Sequence, residues 1–91
     1  MFDVTVVNIG DFVKFNAEEC KKRKYLKWNK ECGVPECLVG LTVNGKEVDK
    51  DTEFLVLDLI YGEWGCRQGV HLQTDFGQLY FDYVLVEWSS F

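Results

Sequence analysis

Apolar residues recur at every second position over most of this chain, the period of a half-buried strand. Phe2 to Val7 is β-branched and alternates, with Val4 and Val6 on one parity, and predicts a strand ended by turn residues Asn8, Gly10 and Asp11. Phe12 to Phe15 predicts a second short strand, and Leu38 to Val43 a third. Asn44-Gly45 follows as a hairpin turn, because a type I′ turn needs positive φ at both central residues. Lys46 to Val48 is the returning arm, and Asp49, Lys50 and Asp51 form another turn. Thr52 to Tyr61 has apolar residues at both parities: Phe54, Val56 and Ile60 on one side, Leu55, Leu57 and Leu59 on the other. That pattern predicts a central strand buried on both faces.

Downstream, Gly62 to Gly69 reads as a loop carrying Trp64, Cys66 and Arg67. Val70, Leu72 and Thr74 alternate with His71 and Gln73 in a half-buried strand. Asp75-Phe76-Gly77 is a tight turn, although it spells the magnesium-binding triplet of protein kinases. Leu79 to Phe81 predicts the next strand, Phe81 to Tyr83 a 3₁₀ turn, and Val84 to Trp88 the last strand. Trp88 shares parity with Val84 and Val86 and is expected in the core.

One segment breaks the two-residue period. Asn16 is a favourable helix N-cap, Glu19 lies three residues later as in a capping box, and Glu18 and Glu19 sit at the dipole's positive end. Ala17, Cys20, Lys24, Tyr25 and Trp28 fall on one narrow stripe, which Lys24 interrupts, and Gly33 and Pro35 stop the helix. The expectation is a helix over about 17–30, inserted between strands at about 16–32.

Composition keeps this picture and adds an asymmetry. The chain has 91 residues, 47% hydrophobic and 15% aromatic, enough for a single packed domain over 1–91 and too apolar for disorder. Net charge is −5, which disfavours general binding to phosphate backbones. The charge is divided: residues 1–44 carry seven basic and six acidic groups, residues 45–91 three basic and nine acidic. Six of the basic groups crowd into Lys21, Lys22, Arg23, Lys24, Lys27 and Lys30. A molecule polarised in this way can orient on a charged partner. Asp3 stands where a secretory leader would be basic and then apolar, and the apolar run 54–61 is far shorter than a membrane span of ~20 residues. A cytoplasmic setting, in a cell or an infected host, is therefore expected, without a membrane partner.

Candidate chemistry is sparse. Cys20, Cys32 and Cys37 offer a zinc site, but C-x4-C without a second tight pair is a weak form of that pattern, and ordinary buried thiols are the favoured reading. His71 is the chain's single histidine, on a solvent-facing parity. There is no nucleophile elbow, phosphate-binding glycine loop or His-Glu-x-x-His helix, and the carboxylates are scattered over turns. The chain reads as a non-enzyme without cofactor or small-molecule substrate.

Five to seven short antiparallel strands with tight turns suggest a small barrel, mainly β with one helix. Ile9 to Phe15 resembles the opening strand of many SH3-like barrels, and Asp51 to Asp58 is similar to their second long strand. Val70 to Gly77 followed by Tyr80 to Val86 looks like their final hairpin, 3₁₀ turn and last strand. Short phage-encoded accessory proteins often have this look. The resemblance implies binding rather than catalysis, and it leaves the basic segment unexplained.

Two surfaces are therefore candidates for a partner. In the basic segment Lys21, Lys22, Arg23, Lys24, Lys27 and Lys30 interleave with Tyr25 and Trp28, residue types enriched at interfaces. The bland alternative is a solvated helix whose Tyr25, Leu26 and Trp28 cover the barrel. The second surface is Trp64 with Arg67, on a Gly-flanked loop, where the alternative is a plug for one barrel end. The leading expectation is a protein-binding module, regulator or inhibitor. A nucleic-acid-binding barrel and a subunit self-associating through a sheet edge are the other readings.

Overall fold

A computed structural model describes residues 7–89. The expected strand 2–7 lies outside them except for Val7, which is buried and whose N–H donates to the Tyr83 hydroxyl. Strand β1 (Phe12–Phe15) forms as expected and turns Val13 and Phe15 inward. Helix α1 (Ala17–Lys22) begins as its sequence dictates, with the Asn16 side chain accepting the Glu19 N–H at 3.2 Å.

The helix then stops eight residues early, because Arg23 is extended. Helical geometry explains why. At 3.6 residues per turn, Leu26 and Trp28 would lie roughly 160° apart on a continued helix, so both could not face the sheet. A turn over 24–26, closed by the Leu26 N–H donating to the Arg23 carbonyl at 3.2 Å, followed by extended backbone lets both pack against the core. Trp28 reaches the Phe15 ring, with centroids 6.1 Å apart. It does so from β2 (Trp28–Asn29), paired with β3 (Val34–Pro35) across the turn that contains Gly33. A 3₁₀ turn (Glu36–Leu38) buries Leu38 where a strand is expected. Only β4 (Thr42–Val43) remains of that strand, paired with β5 (Lys46–Glu47). Their turn has Asn44 at φ 56° and Gly45 at φ 80°, both positive as type I′ demands.

The main sheet is antiparallel. It contains β6 (Phe54–Tyr61), β7 (Arg67–Thr74), β8 (Gly77–Asp82) and, after a 3₁₀ turn (Tyr83–Leu85), β9 (Val86–Trp88). Strand order is β8-β7-β6-β1-β9, and among the described residues β8 and β9 are unjoined and the sheet does not close. A bulge in β6 explains a failure of simple alternation. Val56 opposes Leu72 but Asp58 opposes His71, so one extra residue shifts the parity. Leu59 therefore turns inward with Phe54 and Val56, in place of Ile60. The last 3₁₀ turn resets parity again. Leu85 is buried while Trp88 is 44% exposed, which corrects the expectation that Trp88 is core. That turn comes two residues later than its sequence suggests, and β7 begins at Arg67, inside the expected loop.

The two hairpins at the far end of the sheet are tied by one carboxylate. Asp75 accepts the Gly45 N–H, the Thr42 hydroxyl and the Asn44 N–H, each at 2.8 Å. These donors, Gly45 foremost, hold its carboxyl below the usual carboxylate value. A depressed folded-state pKa contributes stability above the unfolded value, about 3.9, and loses it as pH falls through the folded one. Asp75→Asn should therefore be less stable than wild type at neutral pH, with the difference shrinking in acid. Urea midpoints across pH check this, and a pH-independent difference would refute it. Phe54→Ala, at a fully buried site, should cost about 3–5 kcal/mol in the same assay.

Candidate partner-docking site

The strand register gathers the exposed aromatic residues of two loops at one end of the sheet. Tyr61 opposes Arg67 at the end of the β6–β7 hairpin, and Gly69 opposes Asp82 two residues further along β7. The 62–66 loop and the end of β8 are therefore neighbours.

Trp64 crowns that loop. It is 94% exposed, so it is no plug. Its backbone lies in the left-handed region at φ 64°, ψ 15°, and Gly65 follows at φ 73°. For a bulky L-residue that conformation costs about 1–3 kcal/mol, and strain of this kind tends to cluster at functional sites. Arg67, at the start of β7, is engaged. Its guanidinium lies 5.8 Å from the Tyr83 ring centroid, and Nη2 donates to Asn8 Oδ1 at 3.1 Å.

A groove of about 430 Å³ opens at the end of β8. Leu26, Phe81 and Leu85 bring apolar surface to it, and Tyr25 and Tyr80 stand beside them, 67% and 44% exposed. The Tyr80 ring lies across Gly69, where a Cβ would come within 2.4 Å of it and force the ring to move. The Tyr25 hydroxyl donates to Asp82 Oδ2 at 2.5 Å, which raises the Tyr25 pKa because the carboxylate favours the protonated phenol. The second acid of the groove, Glu36, accepts Asn29 Nδ2 at 2.8 Å. Lys27 also lines the groove and makes no ion pair among the described residues.

The basic segment is thus divided. Lys21 lies 4.9 Å from the Trp28 ring centroid, and Glu19 binds both Lys22 at 3.4 Å and Arg23 at 3.1 Å. These contacts are local and partly exposed, of the sort worth a few tenths of a kcal/mol each. Trp28 is half-buried against the core. Lys24, Lys27 and Lys30 are exposed and form no ion pair among the described residues. The 17–30 helix as a continuous basic face therefore does not exist. Of its candidate residues, Tyr25 and Lys27 reach the groove. Tyr80, Phe81, Leu85, Glu36 and Asp82 carry no sequence signal for a site, because the groove depends on where the sheet ends.

The cysteines are not assembled for metal. All four thiols are free, and among the described residues no three His, Cys, Asp or Glu side chains are grouped as a metal site requires. Cys20 is buried while Cys32 and Cys37 are exposed. Burial, with Cys37 adding to it, pushes the Cys20 thiol up to about 11. A thiol so raised stays protonated and unreactive near neutrality. His71 is half-buried and meets the Tyr80 ring edge-on at 5.9 Å.

Replacing Trp64 with glycine removes the backbone strain and forfeits almost no buried surface. Trp64→Gly should raise stability by about 1 kcal/mol, read from the urea midpoint. A destabilised variant would show that the indole supports the fold. Comparison with protein-family models, curated proteins and solved structures finds no match for this chain.

Proposed function

We propose that this chain is a non-enzymatic protein-binding module, a small regulator or inhibitor of the kind phages encode, acting in the cytoplasm. It docks on its partner through the sheet end that carries Trp64, Tyr25 and Lys27. The observation that carries this reading is Trp64: an indole almost wholly in water, on backbone that disfavours it. The fold gains nothing from that arrangement. Binding does, because a preplaced large aromatic loses little side-chain entropy and buries much apolar area, and Trp is enriched among residues that dominate interface energies.

The strand order supports an SH3-like reading of the fold. β1 pairs with β6 on one side and β9 on the other, and a 3₁₀ turn precedes β9. The connection between β1 and β6 then becomes an enlarged first loop, holding α1, the β2–β3 pair and the β4–β5 hairpin. A phosphate-backbone partner is less well supported, because Glu19 offsets Lys22 and Arg23 and the chain carries −5 overall.

Immobilised protein should capture a specific partner from lysate of its native host. Trp64→Ala and Lys27→Glu should each lower that capture about tenfold or more, a loss of about 1.4 kcal/mol. Phe76→Ala, 74% exposed at the opposite end of the β7–β8 hairpin, should leave it unchanged. Equal capture by all four proteins would overturn the docking site. Retention of nucleic acid that falls steeply with salt would transfer the function to phosphate recognition.

A further inference from the structure

We infer that Asn44 is a site of spontaneous covalent modification, deamidation by attack of the Gly45 nitrogen, and that the Asp75 carboxylate keeps it unmodified for as long as it ties the two hairpins together. The site lies at the opposite end of the β7–β8 hairpin from the groove and does not depend on the docking reading.

The turn supplies the reactants. Asparagine is chemically labile, and most so before glycine, whose nitrogen no side chain shields. Open space surrounds the position a Cβ would take on Gly45. Asn44 is exposed, and its carboxamide makes no hydrogen bond among the described residues. In the first step the Gly45 nitrogen gives up its proton and bonds to Asn44 Cγ. The Cγ–Nδ2 bond breaks, ammonia leaves with that proton, and a cyclic imide remains. Solvent water then opens the imide at either carbonyl, leaving aspartate or isoaspartate. The sum is water in and ammonia out, with no change of oxidation state.

Asp75 opposes the first step in two ways. Its Oδ1 accepts the Asn44 N–H and its Oδ2 the Gly45 N–H, each at 2.8 Å. The backbone that must rotate to bring the nitrogen onto Cγ is thus held on both sides by one carboxylate. That carboxylate is itself fixed, since the Thr42 hydroxyl donates to it at 2.8 Å and the Asp75 N–H donates to the Thr42 carbonyl at 3.0 Å. Charge is the second way. Ring closure passes through an anionic nitrogen and then an anionic oxygen, and an ionised carboxylate already stands against both N–H groups. Conversion undoes the guard. Either product sets a second carboxylate beside Asp75, with which Asn44 shares a cleft. Isoaspartate also lengthens the main chain inside a turn whose central residues sit at φ 56° and 80°. The modification therefore releases the β4–β5 hairpin from the β7–β8 turn, and it does not reverse.

The test incubates the full-length chain at neutral pH and follows Asn44 by peptide mapping that separates asparagine, aspartate and isoaspartate. Conversion should be about tenfold or more slower in the folded chain than in the same chain unfolded in urea, and Asp75→Asn should speed it about tenfold in the folded state, as expected for loss of one charge-assisted bond. In wild type, urea added below the unfolding midpoint should speed Gly45 amide exchange and Asn44 conversion together; this series decides the matter if Asp75→Asn does not fold. Asn44→Asp should lower the urea midpoint. No conversion in the unfolded chain would overturn the site. Equal rates in folded and unfolded chains, exchange and conversion that move separately, or a folded Asp75→Asn chain no faster than wild type would overturn the guard. A slower Asp75→Asn chain would do so too, by showing the carboxylate to be the base that removes the proton. An unchanged midpoint in Asn44→Asp would overturn the release.

Discussion

Burial of Leu26 and Trp28 is the constraint on which this arrangement depends. Both belong to a segment whose capping and charge pattern favour a helix, and no single helical face can present both to the sheet. Fully burying a large side chain is worth about 1.5–3 kcal/mol, and even the part that the half-buried Leu26 and Trp28 realise exceeds the few tenths per residue from helix propensity. The tertiary term wins, and the chain leaves helix at Arg23. Trp28 then lies on Phe15 from the short β2–β3 pair, with the Glu36 N–H donating to the Lys27 carbonyl at 2.7 Å. One consequence is chemical. The same unwinding leaves Tyr25 in solvent and brings Lys27 to the groove.

Electrostatics follow from that geometry. The six clustered cations do not act as one surface. Glu19, placed by the capping pattern at the start of α1, binds the two at the helix end. Trp28 draws Lys21 onto its face. What remains at the groove is Lys27, beside an apolar gap that also carries the carboxylates of Asp82 and Glu36, bonded to Tyr25 and Asn29. The sheet supplies the other half. Among the described residues β8 and β9 do not pair, and the register of β8 with β7 sets the Trp64 loop at the same end as the groove.

Much of this was legible in the residues. The mainly β character, β1, the Asn44-Gly45 turn, the alternation of Val70, Leu72 and Thr74, and the Asn16 cap all follow from local rules that the tertiary structure leaves in force. The exposure of Trp64 is one of the two outcomes its glycine-flanked loop allows, the other being a plug for the sheet end. The failures share one cause. The helix end, the parity of β6 after its bulge, and the exposure of Trp88 each depend on contacts between segments distant in the chain. A bulge leaves no local mark in a strand that is apolar at both parities. The groove was illegible for the same reason: Tyr25, Glu36 and Tyr80 meet only because of how the enlarged connection folds back on the sheet.

The most direct test concerns the backbone between Arg23 and Asn29, measured as Cα and Cβ secondary chemical shifts of the free protein. The account requires helical shifts over 17–22, a change of sign at Arg23, and extended values at Trp28, Asn29, Val34 and Pro35. Helical shifts continuing to Lys30 would contradict it. Leu26 and Trp28 would then be on different faces, and the groove with its free lysine would not form.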